Sequence, residues 1–188
     1  IMGLTDHDSV FGVDEAYTYG KEVGVKVLKG MELSTFHKGQ TVHIVCYFKN
    51  NVIPKELYEF SQNIINTRLQ RAHKMINKIK DCYKINIDED FLFKNSCIVT
   101  RGNMYQCILH SNPDIDHTLA QQMISDDSPC YIPASKMTTE EGIKLLNNLG
   151  AFKILAHPTL IKREYLSEIL DLGFDAFEAS YPRNKAGE

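Results

Sequence analysis

Four places in this sequence carry side chains able to bind a metal ion: the run Asp6-His7-Asp8, then Glu32, His43 and His157. Imidazole and carboxylate together suit zinc, manganese or iron, whereas an all-oxygen set suits magnesium or calcium. Each position also has an ordinary explanation. Asp8 or Ser9 would serve as a cap for the helix pattern that follows. Glu32 would sit at an exposed strand edge, although strands are poor in glutamate. His43, between Val42 and Ile44, would be hydrogen-bonded or solvated, and His157 would find a backbone partner. Their combination favours convergence, because residues at the carboxyl ends of neighbouring α/β strands meet on one face.

The elements that position them follow from periodicity and punctuation. Ile1–Thr5 reads as a short strand leading into Asp6-His7-Asp8-Ser9, and Val10, Val13, Ala16 and Tyr17 mark a helix with Gly24 at its C-terminal end. Val25–Leu28 is a second strand entering Gly30–Thr35, so that Glu32 follows it. His37-Lys38-Gly39-Gln40 is the turn of a hairpin whose second arm is Thr41–Phe48. From Lys55 to Asp81, Leu57, Phe60, Ile64, Ile65, Leu69, Ala72, Ile76 and Ile79 recur at helical spacing, which predicts an amphipathic helix of about seven turns.

Residues 82–135 are less regular. They show short helical pieces near Asp88–Phe93, Met104–Leu109 and His117–Ser125, then an extended Ser128–Pro133. The α/β rhythm returns with Thr138-x-x-Glu141, a capping box opening a helix that stops at Gly150. Phe152–Ala156 is a strand running into His157-Pro158, Arg163–Leu172 a helix closed by Gly173, and Phe174–Ala179 a last strand. The pattern predicts an α/β domain from 1–51 and 136–188, interrupted by a mostly helical insertion at 52–135.

Composition agrees with a folded chain: 43% hydrophobic and 24% charged over 188 residues, enough to bury roughly 70% of the unfolded surface. A net charge of −3 offers no global field for nucleic acid, so stable double-stranded DNA binding is not expected. No apolar run has the length of a membrane span. The five cysteines, Cys46, Cys82, Cys97, Cys107 and Cys130, show no CxxC spacing. Their odd number argues against a full disulfide framework, and the cytoplasm is the expected compartment.

Leu4-Thr5-Asp6-His7-Asp8, Gly30-Met31-Glu32-Leu33-Ser34, Val42-His43-Ile44, Leu155-Ala156-His157-Pro158 and Phe177-Glu178-Ala179-x-Tyr181 together resemble the PHP (polymerase and histidinol phosphatase) family. Arg68-x-x-Arg71, Thr100-Arg101 and Tyr131-Ile132-Pro133 are similar to its branch of 5′-to-3′ exoribonucleases and 3′,5′-nucleotide bisphosphate phosphatases. The resemblance implies part of a distorted (β/α)7 barrel with a helical inserted subdomain. It also implies a site of up to three divalent metals (Mn, Zn or Fe) that activates water for phosphoester hydrolysis. Carried over, His7 would bind one metal, Glu32 would bridge two, and His43 and His157 would hold the third, with Asp6 in support. The implied partner is a phosphorylated small molecule, a nucleotide or a short RNA.

The family's opening His-x-His and closing Asp-x-His have no counterpart in this chain. More than half of the ligand set is therefore missing, which leads us to expect an internal piece of a longer protein, inactive or nearly so by itself. Asn184 stands where many relatives carry histidine.

Arg68, Arg71, Lys74 and Lys78 form one stripe on the long helix, either a solvated face or a clamp for substrate phosphate. Arg101, and more weakly Arg183, are further phosphate-binding candidates. Phe91, Phe93, Tyr105 and Tyr131 would stack a base or pack a small core. Two alternatives stand beside a nucleotide phosphoesterase: a histidinol-phosphatase-like enzyme and a non-catalytic interaction module.

Overall fold

The structure, a computed structural model, describes residues 1–94, 99–133 and 137–180. The chain divides into two compact units, Ile1–Ser61 with Lys136–Glu188, and Gln62–Ser135. Cys97, Tyr181, Arg183 and Asn184 lie outside the described residues.

The first unit is an α/β structure built on a curled, open half-barrel sheet of five strands in the order β1-β2-β3-β4-β5. These are β1 (Met2–Leu4), β2 (Val27–His37), β3 (Gln40–Phe48), β4 (Ala151–Leu155) and β5 (Ala176–Phe177). The outer pairs are parallel and the β2–β3 and β3–β4 pairs antiparallel. Strand β2 runs unbroken through Gly30, so Glu32 lies inside it rather than after it. A two-residue turn joins β2 to β3. Lys38 and Gly39 both have positive φ (44° and 88°), which matches the twist of the arms it connects.

Alternation along β2 and β3 separates two faces. Met31, Leu33, Ile44, Cys46 and Phe48 are buried on one, where they form a core with Val13 of helix α1 (Val13–Glu22) and with Ile143 and Leu146 of a later helix. Glu32, Ser34, His43 and Val45 share the other face, since cross-strand partners point the same way. That later helix, Thr139–Asn148, opens on the expected capping box: the Thr138 hydroxyl accepts from the Glu141 N–H, and the Glu141 carboxylate accepts from the Thr138 N–H. At Gly142 it comes so close to the sheet that a Cβ there would stand 2.6 Å from Thr35 Cγ2 and 3.2 Å from Leu33 Cδ2.

Helix α2 (Lys55–Tyr83) begins in the first unit and continues into the second. The second unit adds α3 (Glu89–Lys94), α4 (Arg101–Ser111) and α5 (His117–Met123). Ala72, Met75, Ile76 and Ile79 of α2 pack there with Leu92, Met104, Cys107, Ile108, Ala120, Met123 and Cys130. Phe91, Phe93 and Tyr105 are half-buried against this core. Ser128–Tyr131, expected to be extended, instead makes a turn in which the Tyr131 N–H donates to the Ser128 carbonyl (2.9 Å). The Cys130 N–H is taken by the Ser128 hydroxyl (3.1 Å), a local bond that competes with extension.

In the first unit the helix over Thr139–Asn148 is α6, followed by α7 (Arg163–Leu170). Among the described residues no helix is long and apolar enough to cross a membrane.

Candidate metal centre

All four sequence-predicted ligands meet at one carboxylate oxygen. Glu32 Oε1 lies 3.0 Å from His43 Nδ1, 3.4 Å from His157 Nε2 and 3.9 Å from His7 Nδ1. His43 Nδ1 and His157 Nε2 are themselves 3.0 Å apart. The rings of His7 and His157 each meet His43 edge-on, with centroids 4.7 and 5.0 Å away.

Each of these side chains arrives by a different device. Glu32 and His43 are held by the hairpin register, which pairs Ser34 with His43 and puts Glu32 diagonally across on the same face. His7 comes from the loop after β1, zipped to β2 by two backbone bonds. Glu32 N–H donates to the Asp6 carbonyl (3.1 Å) and Asp8 N–H to the Glu32 carbonyl (3.0 Å). His157 follows β4; the Ala156 N–H donates to the His43 carbonyl (3.1 Å), fixing the two histidines side by side.

Asp8 corrects the capping expectation. Helix α1 begins at Val13 after Gly12, with no side-chain cap. The Asp8 side chain is buried, and its Oδ1 accepts from the Ser34 backbone N–H at 2.7 Å. Its φ of 55° is left-handed, a conformation aspartate tolerates better than most residues. Asp8 thus locks the His7 loop to the strand carrying Glu32. The Asp6 side chain is exposed, and its backbone carbonyl makes the contact with Glu32.

Glu178 plays the same part for His157. Its Oε2 accepts the His157 N–H at 2.8 Å, while its own N–H donates to the Leu155 carbonyl. His157 has φ 31°, ψ 60°, a costly conformation for a non-glycine residue that such bonds must hold. Neither anchoring role was read from the sequence. The only available signal was a charged residue at the end of an apolar strand.

The charge pattern is that of a cation site. Burial pushes the Glu32 carboxyl up, but the hydrogen bond from His43, the charges of His7 and His43 and the bond from His157 outweigh it and hold it below the ordinary range. Two imidazole nitrogens 3.0 Å apart cannot both present lone pairs to each other. A shared proton or a cation resolves the conflict. Nitrogen and oxygen ligands about 2.0–2.1 Å from a tetrahedral zinc-sized ion lie about 3.3 Å from one another, close to the spacings seen. The donor set therefore fits a divalent metal. His7, Glu32 and His43 present ligand atoms that all lie within 4.8 Å of one another, and the facing atoms of Glu32, His43 and His157 lie 3.0–3.4 Å apart.

The predicted arginines cluster in the second unit. Arg68, Arg71 and Arg101 line a small cleft with Ala72, Met75, Val99, Thr100 and Met104. Arg71 is half-buried, and its Nε donates to the Ile132 carbonyl at 2.5 Å. Burial is the main influence lowering its guanidinium pKa, and the charges of Arg101 and Arg68 lower it further. Arg101 pairs with Asp126, and both Arg71 and Arg101 lie over the Tyr131 ring, 5.6 and 5.1 Å from its centroid. Lys78, itself exposed, donates to the Pro129 carbonyl (3.2 Å), so Arg71 and Lys78 both reach the 129–132 segment.

No family model matches the chain. It is 24% identical over 159 residues to a 5′-3′ exoribonuclease of Haemophilus influenzae, covering 84% of this chain and 58% of that protein. It is 20% identical over 192 residues to a phosphoribosyl 1,2-cyclic phosphate 1,2-diphosphodiesterase of Eggerthella lenta, covering 96% and 71%. A 3′,5′-nucleoside bisphosphate phosphatase of Chromobacterium violaceum is 24% identical over 173 residues, covering 87% and 60%. The chain thus spans 58% of the first of these relatives. Its fold is that of a structure from Bifidobacterium adolescentis described as a metal-dependent phosphoesterase, with a TM-score of 0.73 at 22% identity over 94% of this chain and 65% of that one. Fold, His/Glu cluster and relatives together link the chain to the metal-dependent phosphoesterases of PHP-like type.

Proposed function

We propose that the protein is a metal-dependent phosphoesterase acting on phosphate esters of nucleotides, either 3′,5′-bisphosphates or RNA 5′ ends. The observation that carries this reading is the convergence of three histidines on Glu32 Oε1. His7, Glu32, His43 and His157 would hold Mn, Zn or Fe, up to three ions in the whole protein. A bound divalent ion supplies positive charge for the phosphoryl oxygens and for the attacking water. The protein's own part is to keep Glu32 ionised and to fix the backbone that carries His7 and His157 through Asp8 and Glu178. Arg68, Arg71 and Arg101 would recognise a phosphate, for which the guanidinium fork is suited. The compartment is taken as the cytoplasm, where thiols stay reduced.

The test, on the whole protein loaded with Mn or Zn, is release of phosphate from adenosine 3′,5′-bisphosphate and from histidinol phosphate, and release of mononucleotides from a 5′-phosphorylated short RNA. Turnover of either nucleotide substrate, lost in Glu32→Gln, supports the reading. Exclusive turnover of histidinol phosphate would move the protein to a small-metabolite role, and absence of any bound transition metal would make it an interaction module.

A further inference from the structure

The first unit holds a second hollow, a cavity of about 650 Å³ at the open end of the β2–β3 hairpin. Its lining runs from the last turn of α1 through the start of β2 to the segment after β3. Val27 stands five residues before Glu32 on β2, roughly 17 Å away at the rise of an extended strand. The volume lies within the roughly 300–1,000 Å³ of small-molecule sites.

The floor is fixed without a ligand. At Gly20, α1 meets β2 so closely that a Cβ would stand 2.6 Å from Val27 Cγ2. The Val25 N–H donates to the Gly20 carbonyl at 2.7 Å. From the segment after β3, the Asn51 side chain clasps β2: its Oδ1 accepts the Lys29 N–H (2.6 Å) and its Nδ2 donates to the Val27 carbonyl (3.0 Å).

The walls are apolar and aromatic, made by Val25, Leu28, Tyr47 and Phe48. The charges are of one sign. Lys21 and Lys26 line the cavity, and no aspartate or glutamate does. Among the described residues neither ammonium has a carboxylate partner. Lys21 Nζ lies over the ring of Tyr17, itself a lining residue, 4.3 Å from the centroid. Asn50 adds a side-chain amide that has no hydrogen-bond partner among the described residues. Its φ of 59° is left-handed, which asparagine tolerates. Two cations without an anion, set in an apolar hollow, suit a ligand with an anionic end and a flat apolar body.

We propose that this cavity binds a nucleoside monophosphate, with the phosphate at Lys21, Lys26 and the Asn50 amide and the base against Tyr47 and Leu28. Two ammonium groups and an amide match the charge and oxygens of a phosphate dianion better than those of a monocarboxylate. The aromatic and aliphatic walls take a ring, which inorganic phosphate lacks. The cavity shares no residue with the metal centre or with the arginine cleft. The proposal therefore stands whether or not the protein hydrolyses phosphate esters.

The experiment is calorimetric titration of the whole protein with adenosine 5′-monophosphate, adenosine and inorganic phosphate, each with and without EDTA. Adenosine 5′-monophosphate should bind in both conditions, and adenosine and phosphate should each bind at least about 10-fold more weakly. Lys21→Ala and Lys26→Ala should each weaken the nucleotide about 3–30-fold, as partly solvated charge-assisted contacts do. Asn50→Gly keeps the left-handed turn while removing the amide, and should weaken it about 2–10-fold. Arg101→Ala should leave the affinity unchanged. Binding lost with EDTA, or lost in Arg101→Ala and kept in both lysine variants, overturns the proposal. So does inorganic phosphate binding as tightly as the nucleotide, or no binding at millimolar nucleotide.

Discussion

Replacing Asp8 with alanine tests whether the loop after β1 is anchored as described. Asp8→Ala removes the buried carboxylate that accepts the Ser34 N–H at 2.7 Å and leaves that donor without it. A hydrogen bond to a charged group contributes roughly 1.5–3 kcal/mol. The φ of 55° adds a second cost, since left-handed backbone disfavours alanine by roughly 1–2 kcal/mol while aspartate is partly exempt. We expect a loss of about 2–4 kcal/mol, a large share of the roughly 5–15 kcal/mol that holds a domain together. Asp8→Asn keeps an acceptor oxygen and tolerance of the left-handed region, so it should lose no more than about 1 kcal/mol. The chain has no tryptophan, so urea unfolding is best followed by far-ultraviolet circular dichroism. Metal titration of the folded variants gives a second reading. Because Asp8 anchors the loop that carries its neighbour His7, Asp8→Ala should weaken Zn binding about 10–100-fold, as loss of a ligand's support typically does. An Asp8→Ala protein with the parent's unfolding midpoint and Zn affinity would refute the anchoring argument.

Two further outcomes follow from the sheet. The Lys153 ammonium (side chain 7% exposed) is held by Asp175 (39% exposed), which also accepts the Lys153 N–H, both at 2.8 Å. These bonds hold the Asp175 carboxyl below its ordinary value. Its contribution is therefore present above the unfolded-state pKa near 3.8 and lost as the pH falls through the lower folded value. Asp175→Asn should cost about 1–3 kcal/mol at neutral pH, less than for a fully buried pair because Asp175 is partly solvated, and should flatten the acid limb of stability against pH in urea titrations. Gly142→Ala, stabilising in an exposed helix, should here destabilise by about 1–3 kcal/mol through overpacking against Thr35 and Leu33; a rise in the thermal midpoint would count against that packing.

What could be read from the sequence was local. The Thr138 capping box, the two-residue turn after His37 and the helix from Lys55 are encoded by neighbours in the chain, and each forms where the residues indicate. That His7, Glu32, His43 and His157 are metal-competent side chains in or near strands was also legible, although Glu32 lies inside β2 rather than after it and alternation places only Glu32 and His43. The anchors were not. Asp8 bonds to Ser34 and His157 to Glu178 across the fold, and no local pattern distinguishes such an aspartate from a helix cap. His37 is a similar case: it reads as a turn residue but is buried, with Glu140 at 3.3 Å and Glu168 at 3.1 Å. Those carboxylates come from two helices that only tertiary packing brings to it. Ser128–Pro133 reads as extended, but the Ser128 hydroxyl and carbonyl hold residues 128–131 in a turn.

The pairing of β3 with β4 has a consequence for how the site comes into being. Ile44 lies opposite Leu155, so two adjacent strands are joined only after the whole helical unit between them has been synthesised. The β2–β3 hairpin closes over a two-residue turn and can form within microseconds, bringing Glu32 and His43 together early. His157 joins them only through a long chain closure, the kind of contact that slows folding. The centre should thus be assembled in two stages, with a Glu32–His43 half-site present in the folding chain before β4 arrives. A metal ion captured at that stage would bias β4 toward its place.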